Sequence, residues 1–150
     1  MLALSVQDKQ KDVKSKNLVI CISGMAGTGK STVAKKIAEK YGLKYYSGGD
    51  ALRALAAEQG YNSLDNGWWE SPEGLKFLEQ RKGDSSFDKA VDDKLLEYAS
   101  KGGVLLDSWT MPWLVKSAFK IWLSASVDKQ AERISGRDNM TVEESLKALR

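Results

Sequence analysis

A layered α/β fold, its mainly parallel sheet flanked by helices on both faces, is what the sequence predicts, and three observations predict it. Short apolar runs recur at residues 18–22, 43–47, 104–107 and 119–124. Segments with helical spacing separate them, and such alternation implies right-handed crossovers between parallel strands. The first strand runs into a glycine turn, Gly24-Met25-Ala26-Gly27-Thr28-Gly29-Lys30-Ser31-Thr32, which fits G-x-x-x-x-G-K-[ST] from Gly24 to Ser31. At 150 residues the chain forms one domain, large enough to bury a normal core.

Taken in order, residues 1–17 are polar and without sustained periodicity, so they read as a flexible solvated tail; a short basic docking tail is the alternative. Residues 18–22 enter the glycine turn as a buried strand, and 32–41 leave it with helical periodicity. Gly42 stands where a helix-ending glycine belongs, and 43–47 form the second strand. Gly48-Gly49-Asp50 then read as a tight turn, with Asp50 capping a helix over 51–59. Residues 61–72 are rich in turn formers, and a short helix is expected over 73–82. Ser86 caps a helix reaching about residue 100, whose apolar face is Phe87, Val91, Leu95, Leu96 and Ala99, and Gly102-Gly103 close it. The strand at 104–107 ends on Asp107. An aromatic-rich loop from Ser108 to Leu114 separates it from the strand at 119–124. A capped helix over 126–134, a polar loop at 136–140 and a capping box Thr141-x-x-Glu144 opening the last helix finish the chain.

Composition narrows the chemistry. Lys plus Arg number 23 against 20 Asp plus Glu, a mild net charge of +3 with no basic stripe, so anionic small ligands are expected and nucleic acid is not. The chain has no histidine, which removes imidazole acid–base chemistry and the commonest zinc ligand. Its single cysteine, Cys21, lies within the first apolar strand and reads as a small hydrophobe. No apolar run approaches the roughly 18 residues a bilayer span needs, and no signal-peptide core is seen, so a soluble cytoplasmic monomer without membrane partners is expected.

The glycine turn supplies a phosphate site for a physical reason. Glycines at 24, 27 and 29 let consecutive amides turn inward around phosphates, and the following helix adds the partial positive charge of its N-terminus. Lys30 supplies a full charge to the β- and γ-phosphates of a bound di- or triphosphate, and Ser31 a hydroxyl to Mg2+. This is a P-loop, and the fold class becomes the P-loop NTPase fold. Asp107, an acid closing an apolar strand as in a Walker B element, would hold Mg2+ directly or through water. Arg53 follows the second strand's glycine turn and suits phosphate, because a guanidinium grips it bidentately. Arg133 and Arg137, spaced i, i+4, suit a mobile lid that excludes water.

These pieces resemble the nucleoside monophosphate kinases, most closely the archaeal-type cytidylate kinases. The matching stretches are residues 22–34, Tyr46-Ser47-Gly48-Gly49-Asp50-Ala51-Leu52-Arg53, Asp88 to Asp92 with 96–99, 104–107 with Trp113, and 121–123 with 131–134 and Arg137. The resemblance implies transfer of the ATP γ-phosphoryl group to a nucleoside monophosphate such as CMP. Residues 24–32 would hold ATP, Ser31 and Asp107 the Mg2+, and Lys30, Asp107, Arg133 and Arg137 would serve catalysis. Ser47, Gly49, Asp50, Arg53 and Asp92 would face the acceptor, in a helical region over about 50–100, with a lid at about 133–142. The chain departs from the family at Ser108-Trp109, where a Gly-Arg pair is usual, and at Lys94-Leu95, where Arg-Gln is. The family's C-terminal strand and helix are also expected to be absent. Two further readings stay open: a nucleotide-binding module without acceptor chemistry, and a kinase whose pocket Trp68, Trp69, Trp109 and Trp113 rebuild for another acceptor. Core packing is the alternative for each tryptophan.

Overall fold

The apolar stretch Val19–Gly24 forms strand β1, buried along its whole length because it is paired on both edges and covered on both faces. The computed structural model describes residues 17–65 and 67–149; the solvated tail expected at 1–17 lies, but for Asn17, outside the described residues. Strand β2 is Lys44–Ser47, β3 is Val104–Asp107 and β4 is Phe119–Leu123. All neighbours are parallel, in the order β2-β3-β1-β4. The register sets Ile22 beside Asp107 and Asp107 beside Ser47, while Gly24 lies beside Leu123. The carboxyl ends of the strands therefore share one edge, the edge where open α/β sheets bind ligands.

Side-chain alternation divides the core into two layers. Ile20, Ile22 and Leu105 face helix α1, Lys30–Tyr41, whose buried Ala34 and Ala38 let its backbone approach the sheet. Gly42 ends α1 at φ 65°, in the left-handed region where glycine carries no Cβ penalty. Val19, Cys21, Val104 and Leu106 face the opposite layer, built on α2 (Gly48–Glu58), α3 (Pro72–Lys82) and α4 (Ser86–Lys101). At its centre Phe77 is fully buried, with the rings of Tyr61, Trp68 and Phe87 at 5.5, 5.6 and 5.5 Å between centroids. Trp68 closes its polar end by donating Nε1–H to Glu73 Oε2 at 3.1 Å. Burial pushes the Cys21 thiol up to about 11, partly opposed by Lys120, and so keeps it a neutral core group.

The remaining elements are a one-turn 3-10 helix at Trp68–Glu70, the short helix α5 (Met111–Leu114), α6 (Val127–Asp138) and α7 (Val142–Ala148). Among the described residues, no helix is long and apolar enough to cross a membrane.

Four local expectations are corrected. Helix α2 starts at Gly48, and its cap is Ser47: Ser47 Oγ accepts from Asp50 N at 3.2 Å, while the Asp50 carboxylate accepts from Ser47 N at 2.8 Å. Asp50 is thus the third residue of a reciprocal capping box. At α4 it is Asp84 whose carboxylate accepts from Ser86 N, at 2.9 Å. The polar loop expected over 136–140 is largely helix, because Gly136 keeps a negative φ and the left-handed residue that ends α6 is Asn139, at φ 56°. Core packing fails for Trp109 and Trp113, which are 58% and 75% exposed, and holds for Trp68. Phe77→Ala should cost about 3–5 kcal/mol, as expected for a fully buried aromatic. The loss would be read as a lower urea midpoint at an unchanged denaturant slope.

Candidate functional site

Strand β1 delivers the chain to the glycine turn, and two tight contacts dictate glycine there. A Cβ on Gly24 would stand 2.4 Å from the Leu123 carbonyl oxygen, so β4 presses directly on the loop's entry. A Cβ on Gly27 would stand 2.6 Å from the Gln130 carbonyl oxygen, and Gly27 also holds φ 75°. Gly29, at φ 83°, precedes Lys30 with no side chain capping the first turn of α1, which leaves that turn's amides free for an anion. Thr28 is buried and ties the loop to itself by donating Oγ1–H to the Met25 carbonyl at 2.8 Å. Ala26 lies exposed on the outer turn. The loop opens onto a cleft of about 570 Å3, bounded by Met25, residues 27–33, Arg133 and Arg137, Thr32 included.

At the mouth of the loop one carboxylate gathers three elements. Asp107 Oδ2 accepts from Tyr45 Oη at 2.6 Å and from Ser31 Oγ at 3.0 Å. Its Oδ1 lies 3.5 Å from Lys30 Nζ, which also donates to the Gly24 carbonyl at 3.4 Å. The Asp107 side chain is only 5% exposed, so these side chains, more than bulk water, satisfy its oxygens. Tyr45 answers in kind: burial first, then its hydrogen bond to Asp107 and that residue's charge, hold its phenol well above the ordinary tyrosine range, with Ser31 opposing. The ring of Trp109 covers the remaining side of Lys30, its centroid 5.5 Å from Nζ.

The expected acceptor-side residues are held by other partners. Ser47 and Asp50 satisfy each other in the capping box, with Gly49 between them in the first turn of α2. The Arg53 guanidinium stands 5.7 Å from the centroid of the Trp69 ring. Asp92 Oδ1 accepts from Thr110 Oγ1 at 2.6 Å, and Lys94 pairs with Glu58 and Glu97. On the cleft's far wall Arg133 donates to the Gly27 carbonyl at 3.1 Å, while Arg137 grips Asp138 at 2.6 and 2.9 Å. Lys30, Ser31, Asp107, Arg133 and Arg137 are thus brought to the loop, and Ser47, Gly49, Asp50, Arg53 and Asp92 do not line its cleft.

Tyr45, Thr110 and Gln130 join the site without having been singled out in the sequence. Only the strand register could have found Tyr45, since its bond to Asp107 spans 62 positions.

The donor set suits Mg2+ in part. Ser31 and Asp107 offer hard oxygens beside each other. Among the described residues no group of three or more acidic, histidine or cysteine side chains is placed to hold a metal ion, so a hard cation here would share its ligands with phosphates and water.

A parallel sheet carrying a glycine phosphate loop at the end of β1 and an acid as the last residue of β3 defines the P-loop NTPase fold class. The AAA domain family matches residues 23–141. Cytidylate kinase from Pyrococcus horikoshii is 40% identical over 129 residues, covering 85% of this chain and 62% of that protein. Cytidylate kinase from Methanocaldococcus jannaschii is 34% identical over 137 residues, covering 88% and 71%. The chain belongs to the nucleoside monophosphate kinase family of P-loop proteins that these archaeal cytidylate kinases represent. It spans 62–71% of the length of these two relatives. Shikimate kinase from Bacteroides thetaiotaomicron shares the fold with TM-score 0.59 at 17% identity, over 87% of this chain and 73% of that one. Shikimate kinase from Acinetobacter baumannii in complex with shikimate does so with TM-score 0.57 at 18% identity, over 93% and 77%.

The Tyr45–Asp107 bond has a pH signature. A phenol whose folded value is raised stabilises the fold below its unfolded value near 10, and that contribution is lost as pH climbs through the folded value. Ultraviolet titration should therefore lose its last-rising phenol component in Tyr45→Phe; loss of a component from the ordinary tyrosine range instead would contradict the raised phenol.

Proposed function

We propose that the chain is an ATP-dependent kinase that phosphorylates a nucleoside monophosphate, CMP. The carrying observation is the cluster of Lys30, Ser31 and Asp107 at the mouth of the glycine loop, and the similarity to proteins named cytidylate kinase supports the acceptor. In this reading a phosphate oxygen of CMP attacks the γ-phosphorus of ATP, the bond to the β–γ bridging oxygen breaks, and ADP and CDP leave. No protein nucleophile is needed, so the chain's work is positioning and charge stabilisation.

Residues 24–32 bind the phosphates through backbone amides. Lys30 turns from Asp107 toward the β- and γ-oxygens. Ser31 and Asp107 would hold Mg2+, which when bound neutralises phosphate charge. Arg133 and Arg137, one turn apart on α6, serve as the lid arginines. On the acceptor side Arg53 holds the CMP phosphate, aided by Ser47, Gly49, Asp50 and Asp92 once they exchange present partners for substrate. The same reading has the protein working as a cytoplasmic monomer on small molecules, with neither nucleic acid nor membrane as a partner.

A second reading, a kinase for another acceptor, is favoured by Trp109. It stands exposed over Lys30 where the resemblance places an arginine, and a guanidinium is not replaced by an indole without altering a phosphate pocket.

An ADP-release assay over a panel of nucleoside monophosphates and other small acceptors tests both. Lys30→Ala should abolish transfer while the thermal melt stays cooperative; transfer at the wild-type rate would remove the loop from the chemistry. Asp107→Asn should depress Mg2+-dependent turnover far more than metal-free nucleotide binding. At saturating Mg-ATP, Trp109→Arg should raise kcat/KM for CMP by roughly ten- to a hundredfold, the worth of a charged hydrogen bond of about 1.5–3 kcal/mol. With a different acceptor, the same change should lower activity toward that compound.

A further inference from the structure

Trp109 is presented by backbone that is tied at both ends of its loop. Ser108 is buried, and its hydroxyl accepts from the amides of Thr110 and Met111 at 3.2 and 3.4 Å. The Thr110 hydroxyl donates in turn to Asp92 at 2.6 Å, anchoring the turn to α4. A large apolar ring is thereby held 58% exposed, two residues beyond the Asp107 carboxylate.

Its neighbour is the ammonium of Lys30. Among the described residues that ammonium has two polar contacts, the Gly24 carbonyl at 3.4 Å and Asp107 Oδ1 at 3.5 Å, both at the long end of the range. The other Asp107 oxygen is already occupied by Tyr45 and Ser31. Two long contacts leave a four-carbon side chain with much of its rotamer freedom. The indole supplies the third contact, its centroid 5.5 Å from Nζ, within the reach at which a tryptophan ring attracts a cation. Lys30 is accordingly only 16% exposed although it sits at an open cleft.

We propose that Trp109 is a positioning residue for the phosphate-binding lysine: its ring holds the Lys30 ammonium at the mouth of the glycine loop, so that phosphates arrive to a cation already in place. This rests on the nucleotide-binding half of the proposed function and is independent of the acceptor. It also explains why exposing an indole here is tolerated.

The test is the Mg-ATP dissociation constant, from calorimetry or competition with a fluorescent analogue, for wild type and for Trp109→Tyr, Trp109→Phe and Trp109→Leu, each with Lys30 and with Lys30→Ala. Trp109→Leu should bind about three- to thirtyfold more weakly, with the tyrosine and phenylalanine variants between, following the ring's attraction for cations. With Lys30→Ala the four residues at 109 should become equivalent, because a coupling vanishes when either partner is removed. Nucleotide should also shift tryptophan emission in wild type, and part of that shift should be missing in Trp109→Phe. Leucine binding as tightly as tryptophan, or the same loss without Lys30, would overturn the proposal. A wild type that shows the graded series yet transfers nothing to CMP would support it and remove the acceptor reading alone.

Discussion

The bond set of one carboxylate organises this molecule. Asp107 ends β3, and through it β2 is joined by Tyr45 and the loop-to-helix junction by Ser31 and Lys30. Tyr45 lies on β2, Asp107 on β3 and both Lys30 and Ser31 on the first turn of α1, so three neighbouring segments converge on a carboxylate that is nearly cut off from water. A carboxylate so buried costs several kcal/mol to desolvate, and losing one partner would leave that cost uncompensated. The same group that a hard cation would seek is therefore the one that aligns the sheet's working edge. On the proposed reading, binding and folding make opposite demands on it: the lysine and the serine serve Asp107 in the free protein and would serve phosphate and metal in the bound one.

On the side proposed for the acceptor, the free protein's side chains already have partners. Ser47 and Asp50 close a capping box, Asp92 anchors the loop after β3, and Arg53 lies against Trp69. Each contact stabilises a piece of the α2 and α4 layer. Acceptor binding would be an exchange, in which the substrate must offer these groups at least what they already have. Side chains of this kind give selectivity, because an acceptor that leaves them unpaired loses their hydrogen bonds as well as its own.

The parts legible in the sequence were those whose signal is local. The glycine spacing at 24, 27 and 29 with Lys30-Ser31, the apolar runs and the Thr141–Glu144 box each need only neighbouring residues, and the parallel sheet follows from their alternation. What escaped was decided at a distance or by competition between equals. Ser47 and Asp50 are both good caps, and only the conformation of the chain between them assigns Ser47 the role. Gly136 reads as a helix end, but a glycine ends a helix by adopting positive φ, and here Asn139 does so. Tyr45 looks like any strand tyrosine until β2 is laid beside β3. Trp109 looks like core until the loop around it is seen to be fastened from beneath by Ser108 and Thr110.

The 2.6 Å that a Cβ on Gly27 would leave to the Gln130 carbonyl means the phosphate loop has a backstop, and that the backstop is α6. Arg133 fastens the same place by donating to the Gly27 carbonyl. The loop's position is thus tied to that of α6, which packs against α7, each helix contributing buried side chains, Ile134 on one and Ser145 on the other. Wear on that distant joint would be felt where phosphates bind. On the proposed reading Arg133 and Arg137 ride on the same helix that backs the loop, so any tilt of α6 would alter the cradle and carry both guanidinium groups with it.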